Sequence, residues 1–70
     1  SGGTLEVLIM RVSVETATVV AVTSNGRRIT ASPAGRVAYL EWPVSDGRGN
    51  EVAGLGADGE ELWSRILTPG

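Results

Sequence analysis

Seventy residues with a net charge of −2 leave room for one small domain and little surplus core. The chain has neither cysteine nor histidine, which excludes disulfide staples, thiolate metal sites and the commonest general base. Its six basic residues are all arginines, set among eight carboxylates without a basic run, a pattern that argues against phosphate-backbone binding.

Ser1-Gly2-Gly3 reads as a cloning remnant or linker end; the domain is expected over residues 4–67, with 68–70 as a tail. The first strand is expected over residues 4–12. Leu5, Val7 and Ile9 point to one side of it and Leu8, Met10 and Val12 to the other. Both sides are apolar, so this strand is either central or covered by something outside the domain. The second strand is expected over residues 15–24, where Thr16, Thr18, Val19, Val20, Val22 and Thr23 favour extended backbone. Residues 5–22 hold twelve apolar residues in eighteen, interrupted by Glu6, Arg11 and Glu15. Each of these charges would cost up to ~2.5–3.5 kcal/mol near a bilayer centre, so the stretch reads as two strands and no membrane insertion is expected of it.

Asn25-Gly26 is the clearest turn signal, because both residues tolerate the positive φ of a two-residue type I′ hairpin. Centring the turn on them sets Val22 opposite Ile29, Val20 opposite Ala31, Thr23 opposite Arg28 and Ala21 opposite Thr30. Pro33 and Gly35 end the third strand. The fourth is expected at 36–42, before Pro43, and residues 45–50 form a polar, glycine-rich loop. The fifth strand is expected at 51–56. Asp58-Gly59 then sets a second two-residue hairpin, placing Leu55 opposite Leu62 and Gly54 opposite Trp63, an indole lying over a glycine. The sixth strand is expected at 61–67, with a helix over 60–67 capped by Asp58 as the competing arrangement. Six short strands separated by turn residues imply an all-β fold, a small antiparallel β-sandwich or partly open barrel.

The residues that carry chemistry elsewhere are isolated here. The loop from Asp46 to Glu51 offers oxygens, but Arg48 opposes a cation and the spacing does not match a calcium loop. Gly54-Leu55-Gly56-Ala57-Asp58-Gly59 fits G-x-G-x-x-G in letters, yet Asp58-Gly59 is better explained as a turn. No serine has a histidine partner, and the adjacent Glu60 and Glu61 point to opposite sides of a strand. The expectation is a non-enzyme without cofactor or metal.

Binding candidates remain. Leu8, Met10 and Val12 form a second apolar side of the first strand. Arg27 and Arg28 flank the first hairpin and suit an acidic partner, although a solvated turn flank is the simpler account. Tyr39, Trp42 and Trp63 are the only aromatics; they suit an interaction surface, although a core without phenylalanine also needs their volume.

Three segments in order, ATVVAVTSNGRRITA (17–31), GRVAYLEWP (35–43) and NEVAGLGADGEELW (50–63), resemble small bacterial immunoglobulin-like modules. The shared features are the strand leading into a dipeptide turn, the aromatic strand ending in Trp-Pro and the late A-D-G hairpin. The resemblance implies a module of an envelope protein, such as the extracytoplasmic part of a membrane-bound anti-sigma factor. Such modules usually have seven or more strands, so a missing edge would come from another chain. The expected function is therefore a non-catalytic protein-interaction module of a larger envelope or regulatory protein, with a protein partner or a second copy as ligand. The alternatives are a structural subunit self-associating through the first strand, and a small barrel stacking single-stranded nucleic acid on Tyr39, Trp42 and Trp63. Nucleic acid is not the expected partner.

Overall fold

The computed structural model describes residues 3–67; residues 1, 2 and 68–70, on which most of the expected linker end and the expected tail fall, lie outside the described residues. The strands are β1 (Leu5–Arg11), β2 (Thr18–Thr23), β3 (Arg28–Ala31), β4 (Val37–Pro43), β5 (Gly49–Leu55) and β6 (Glu61–Ile66), with a 3₁₀ turn at Val44–Asp46 before β5. They form two antiparallel sheets, a two-stranded ribbon β1-β4 and a four-stranded sheet in the order β3-β2-β5-β6. The result is a small all-β sandwich with unequal layers.

The alternation of side chains along each strand explains the packing. Ala38, Leu40 and Trp42 alternate along β4 and are buried, as is Val12 just after β1. They meet Val19 and Ala21 of β2 and Val52 of β5, while Leu8, Met10, Ile29, Ala31, Trp63 and Leu67 close around them. Trp42 is a core residue whose Nε1 donates to the Gly47 carbonyl at 3.0 Å. Its one polar atom is thereby satisfied inside an otherwise apolar layer.

β2 starts at Thr18, later than the expected 15. A turn occupies the preceding residues, with the Thr16 N–H donating to the Ser13 carbonyl at 3.0 Å and the two hydroxyls 2.9 Å apart. Residues 61–66 are strand and not helix. Asp58 acts within the turn, where its Oδ1 accepts the Glu60 N–H at 3.1 Å.

The first hairpin corrects the expected register, and the second corrects it in part. In the first, Val19 pairs with Ala31, Val20 with Thr30, Ala21 with Ile29 and Val22 with Arg28, one residue away from the expected pairing. The Thr23 N–H donates to the Arg27 carbonyl and the Gly26 N–H to the Thr23 carbonyl, so the loop has three residues, Ser24-Asn25-Gly26. Only Gly26 takes a positive φ, at 83°. This is a turn with a glycine bulge, which needs one left-handed residue where a type I′ turn needs two. The shift carries Ile29 and Ala31 to the core side with Ala21 and Val19. In the second hairpin Gly54 does face Trp63, as expected, but Leu55 faces Glu61 and not Leu62. The loop Ala57-Asp58-Gly59 again has three residues, and an irregularity beside Leu55 restores the register at Gly54. A Cβ at Gly54 would collide with the Trp63 ring, so only glycine lets the indole lie flat there.

β1 is not central. It pairs with β4 alone, from Leu5↔Pro43 to Arg11↔Val37. Its two apolar sides meet different surroundings: Glu6, Leu8 and Met10 are half-buried, whereas Leu5, Val7, Ile9 and Arg11 are exposed. One apolar side packs on the four-stranded sheet and the other faces outward.

Candidate functional site

The unequal layers leave an open seam between the edge strands β1 and β6. On β6 the register places Trp63 and Arg65 on the same side as the core residues Val19, Ala21 and Val52, and Leu67 continues that row. These side chains lie beneath the free edge of β1. Two hollows mark the seam. One, of about 190 Å³, is lined by Met10, Arg11, Val12, Ser13, Trp63 and Arg65. The other, of about 220 Å³, is lined by Glu6, Val7, Leu8, Trp42, Gly49 and Leu67.

The backbone of β1 is open along this seam. The Val12 N–H donates to the Arg36 carbonyl and the Val44 N–H to the Thr4 carbonyl, both at 2.9 Å. Antiparallel ladders alternate bonded and non-bonded pairs, so Glu6, Leu8 and Met10 bond to β4. The N–H and C=O groups of Leu5, Val7, Ile9 and Arg11 therefore point to the unpaired edge. The other sheet edges are each blunted. β3 has four residues, β6 carries Glu61, Arg65 and an irregular register, and β4 ends in Pro43. β1 has seven residues in unbroken register, with no proline and no bulge.

The seam gathers five of the residues singled out in the sequence: Leu8, Met10, Val12, Trp42 and Trp63. They do not form an exposed apolar side. Val12 and Trp42 are each 5% exposed, Leu8 and Met10 are half-buried, and the outward side of the ribbon belongs instead to Leu5, Val7 and Ile9. Across the ribbon Ile9 faces Tyr39 and Arg11 faces Val37, which extends this outward apolar surface onto β4. Tyr39 donates to Glu41 Oε2 at 2.7 Å. That hydrogen bond to a carboxylate, with the negative charge beside it, raises the phenol pKa above its ordinary 10.0.

Arg27 and Arg28 lie elsewhere. The exposed Arg27 sits 3.8 Å from the half-buried Asp46 in an ion pair, and Arg28 lines a shallow hollow on the outer side of the four-stranded sheet with Val20, Val22, Glu51, Ala53, Leu55 and Glu61. The three aromatic rings do not share a surface, since Tyr39 faces outward, Trp42 is buried and Trp63 spans Gly54 with its Nε1 on Thr16 Oγ1. The Gly54–Gly59 segment runs from a strand through a turn into another strand, without the helix that a dinucleotide fingerprint opens. Among the described residues no group of three or more His, Cys, Asp or Glu side chains is placed to hold a metal ion.

Sequence reasoning missed Arg65 and Leu67 as seam residues. The signal was present in the Gly54–Trp63 pairing, which puts Trp63, and with it Arg65 and Leu67, on the inner side of the last strand. A scan against known protein families and searches of characterised proteins and of solved structures found no match to this chain.

Proposed function

We propose that this domain is a non-catalytic protein-interaction module that accepts an extended segment of another protein as an added strand along the free edge of β1. The observation that carries the reading is this edge: seven residues in regular register, unpaired, above a floor that includes Met10, Trp63 and Leu67. Strand addition uses main-chain hydrogen bonds for affinity and alternate side-chain pockets for specificity, and the seam offers both. A seventh strand would make the layers three and four and would cover the seam. The setting we propose is the one the sequence resemblance implies, an immunoglobulin-like module of a bacterial envelope or regulatory protein, acting outside the cytoplasm. Selection of displayed extended segments on the immobilised domain tests the reading. Binders that are lost when Ile9 is replaced by proline support it; binders indifferent to that replacement contradict it.

A second reading is favoured by a separate observation. Leu5, Val7, Ile9, Val37 and Tyr39, exposed between 41% and 61%, form one outward apolar side of the ribbon. Contiguous apolar patches on small soluble domains mark contact surfaces, and self-association through this side is the alternative.

A further inference from the structure

We infer that the segment added to β1 is a free extended strand anchored by two apolar side chains four residues apart, with a small side chain midway between them. This rests on the strand-addition reading and adds the chemistry of the partner. The anchors are set by the row beneath the edge, where Trp63, Arg65 and Leu67 follow one another at alternate positions along and just past β6. The hollow of about 190 Å³ lies at Trp63 and Met10, and that of about 220 Å³ at Leu67 and Leu8. Trp63 and Leu67 are four residues, ~13 Å, apart along the strand, which is the spacing of the first and third inward side chains of an added strand. An apolar side chain at each of those positions fills one hollow and covers Trp63 or Leu67. The middle inward side chain falls over the exposed Arg65. A small side chain there leaves the guanidinium in water, where a large one would bury it unpaired. Arg11 points outward, opposite Val37, so the inward side of the seam carries one guanidinium, Arg65, and one carboxylate, Glu6. Selection there is by shape and apolar fit, not by net charge.

A second copy does not fit the same edge. Pairing two β1 edges antiparallel keeps both four-stranded sheets on the same side of the joined ribbons. The last strand already lies beneath the free edge, so the second copy's sheet would run into it. The outward side of the ribbon offers a second copy little instead. Two strands of seven residues give a face of about 10 Å by 24 Å, or ~240 Å², against ~800 Å² per partner in a stable interface. A free segment escapes both limits. It brings no second layer, and it gains main-chain hydrogen bonds from the edge-facing groups of Leu5, Val7, Ile9 and Arg11.

The test uses displayed segments of about nine residues, with threonine at the outward positions and the inward positions randomised. They are selected on the wild-type domain, Met10→Ala, Leu67→Ala and Ile9→Pro, each checked for folding by circular dichroism. Met10→Ala enlarges one hollow and Leu67→Ala the other. Wild-type binders should carry leucine, isoleucine, methionine or valine at two inward positions four apart, and glycine, alanine or serine between them. Each enlarging variant should shift one anchor, and a different one, to phenylalanine or tryptophan. Truncating either anchor to alanine should weaken binding about tenfold or more. Ile9-dependent binders whose inward positions show no such pattern, or whose anchors ignore both enlarging variants, would overturn the anchor assignment and leave strand addition standing. A wild-type domain that dimerises with its Val7 and Ile9 amides protected would give the edge to a second copy and overturn the inference. Failure to select any Ile9-dependent binder would overturn both the inference and strand addition.

Discussion

The Trp63 indole N–H donates to Thr16 Oγ1 at 3.0 Å and ties the last strand to the loop between β1 and β2. Thr16 is 6% exposed, and its hydroxyl also meets Ser13 Oγ. This bond holds Trp63 under the end of β1 and shapes the hollow that Met10 and Arg65 share. Replacing Thr16 with valine keeps the shape but leaves the indole N–H without its acceptor. The expected cost is about 1–3 kcal/mol, read from the midpoint of urea unfolding. A midpoint equal to that of the wild type would show that water or another group replaces the hydroxyl.

Neighbouring residues on β1 are expected to respond oppositely to proline. The Ile9 N–H points to the open edge, so Ile9→Pro removes no ladder bond and the domain stays folded. The Met10 N–H bonds to β4, so Met10→Pro deletes that bond and strands the Ala38 carbonyl, for a loss of about 1–3 kcal/mol before the lost side-chain packing is counted. Circular dichroism and thermal melts of the two variants check the ordering.

The architecture was legible in the sequence where local rules and hydrophobic alternation agree. Six strands, the Trp-Pro end of β4 and the Gly54–Trp63 pairing follow from turn residues and period-two patterning. The first hairpin misled because Asn25-Gly26 serves two loop lengths. With Ser24 included, one left-handed glycine suffices, and the register moves by one residue. The second hairpin makes the same three-residue turn, and an irregularity beside Leu55 then recovers the expected pairing at Gly54. The apolar sides of β1 were visible, but not which one faces out. That depends on how the ribbon sits on the other sheet, and Val12, buried at its end, turns the Leu8 and Met10 side inward. Arg65 was unremarkable as a letter; only the β5–β6 register brings it beneath the free edge of β1.

Ile9→Glu separates the two readings of β1. The substitution puts a charge on the outward side of the ribbon and leaves the main chain able to pair. If copies associate through that side, light scattering after gel filtration will show the wild-type mass falling to that of a monomer in the variant. If the edge is the working surface, Ile9→Glu will keep selected binders that Ile9→Pro loses.

Tyr39 offers a pH readout of the same side. Its hydrogen bond to Glu41 and that residue's charge raise its pKa above 10.0. The phenol keeps its proton longer in the folded chain than in the unfolded one. Its contribution to stability is therefore complete below about 10 and is lost as the pH rises through the folded value. Ultraviolet titration of the phenolate should show the midpoint moving down toward the ordinary value in Glu41→Gln.

Amide hydrogen exchange along β1, in the free domain and with a selected segment bound, addresses strand addition most directly. In the free domain the Leu8 and Met10 amides should be protected and the Val7 and Ile9 amides open, an alternation fixed by the β1–β4 ladder. With the segment bound, Val7 and Ile9 should become protected and the alternation should vanish. A complex in which Val7 and Ile9 exchange as fast as in the free domain would contradict the account, because the segment would then be held somewhere other than the edge of β1.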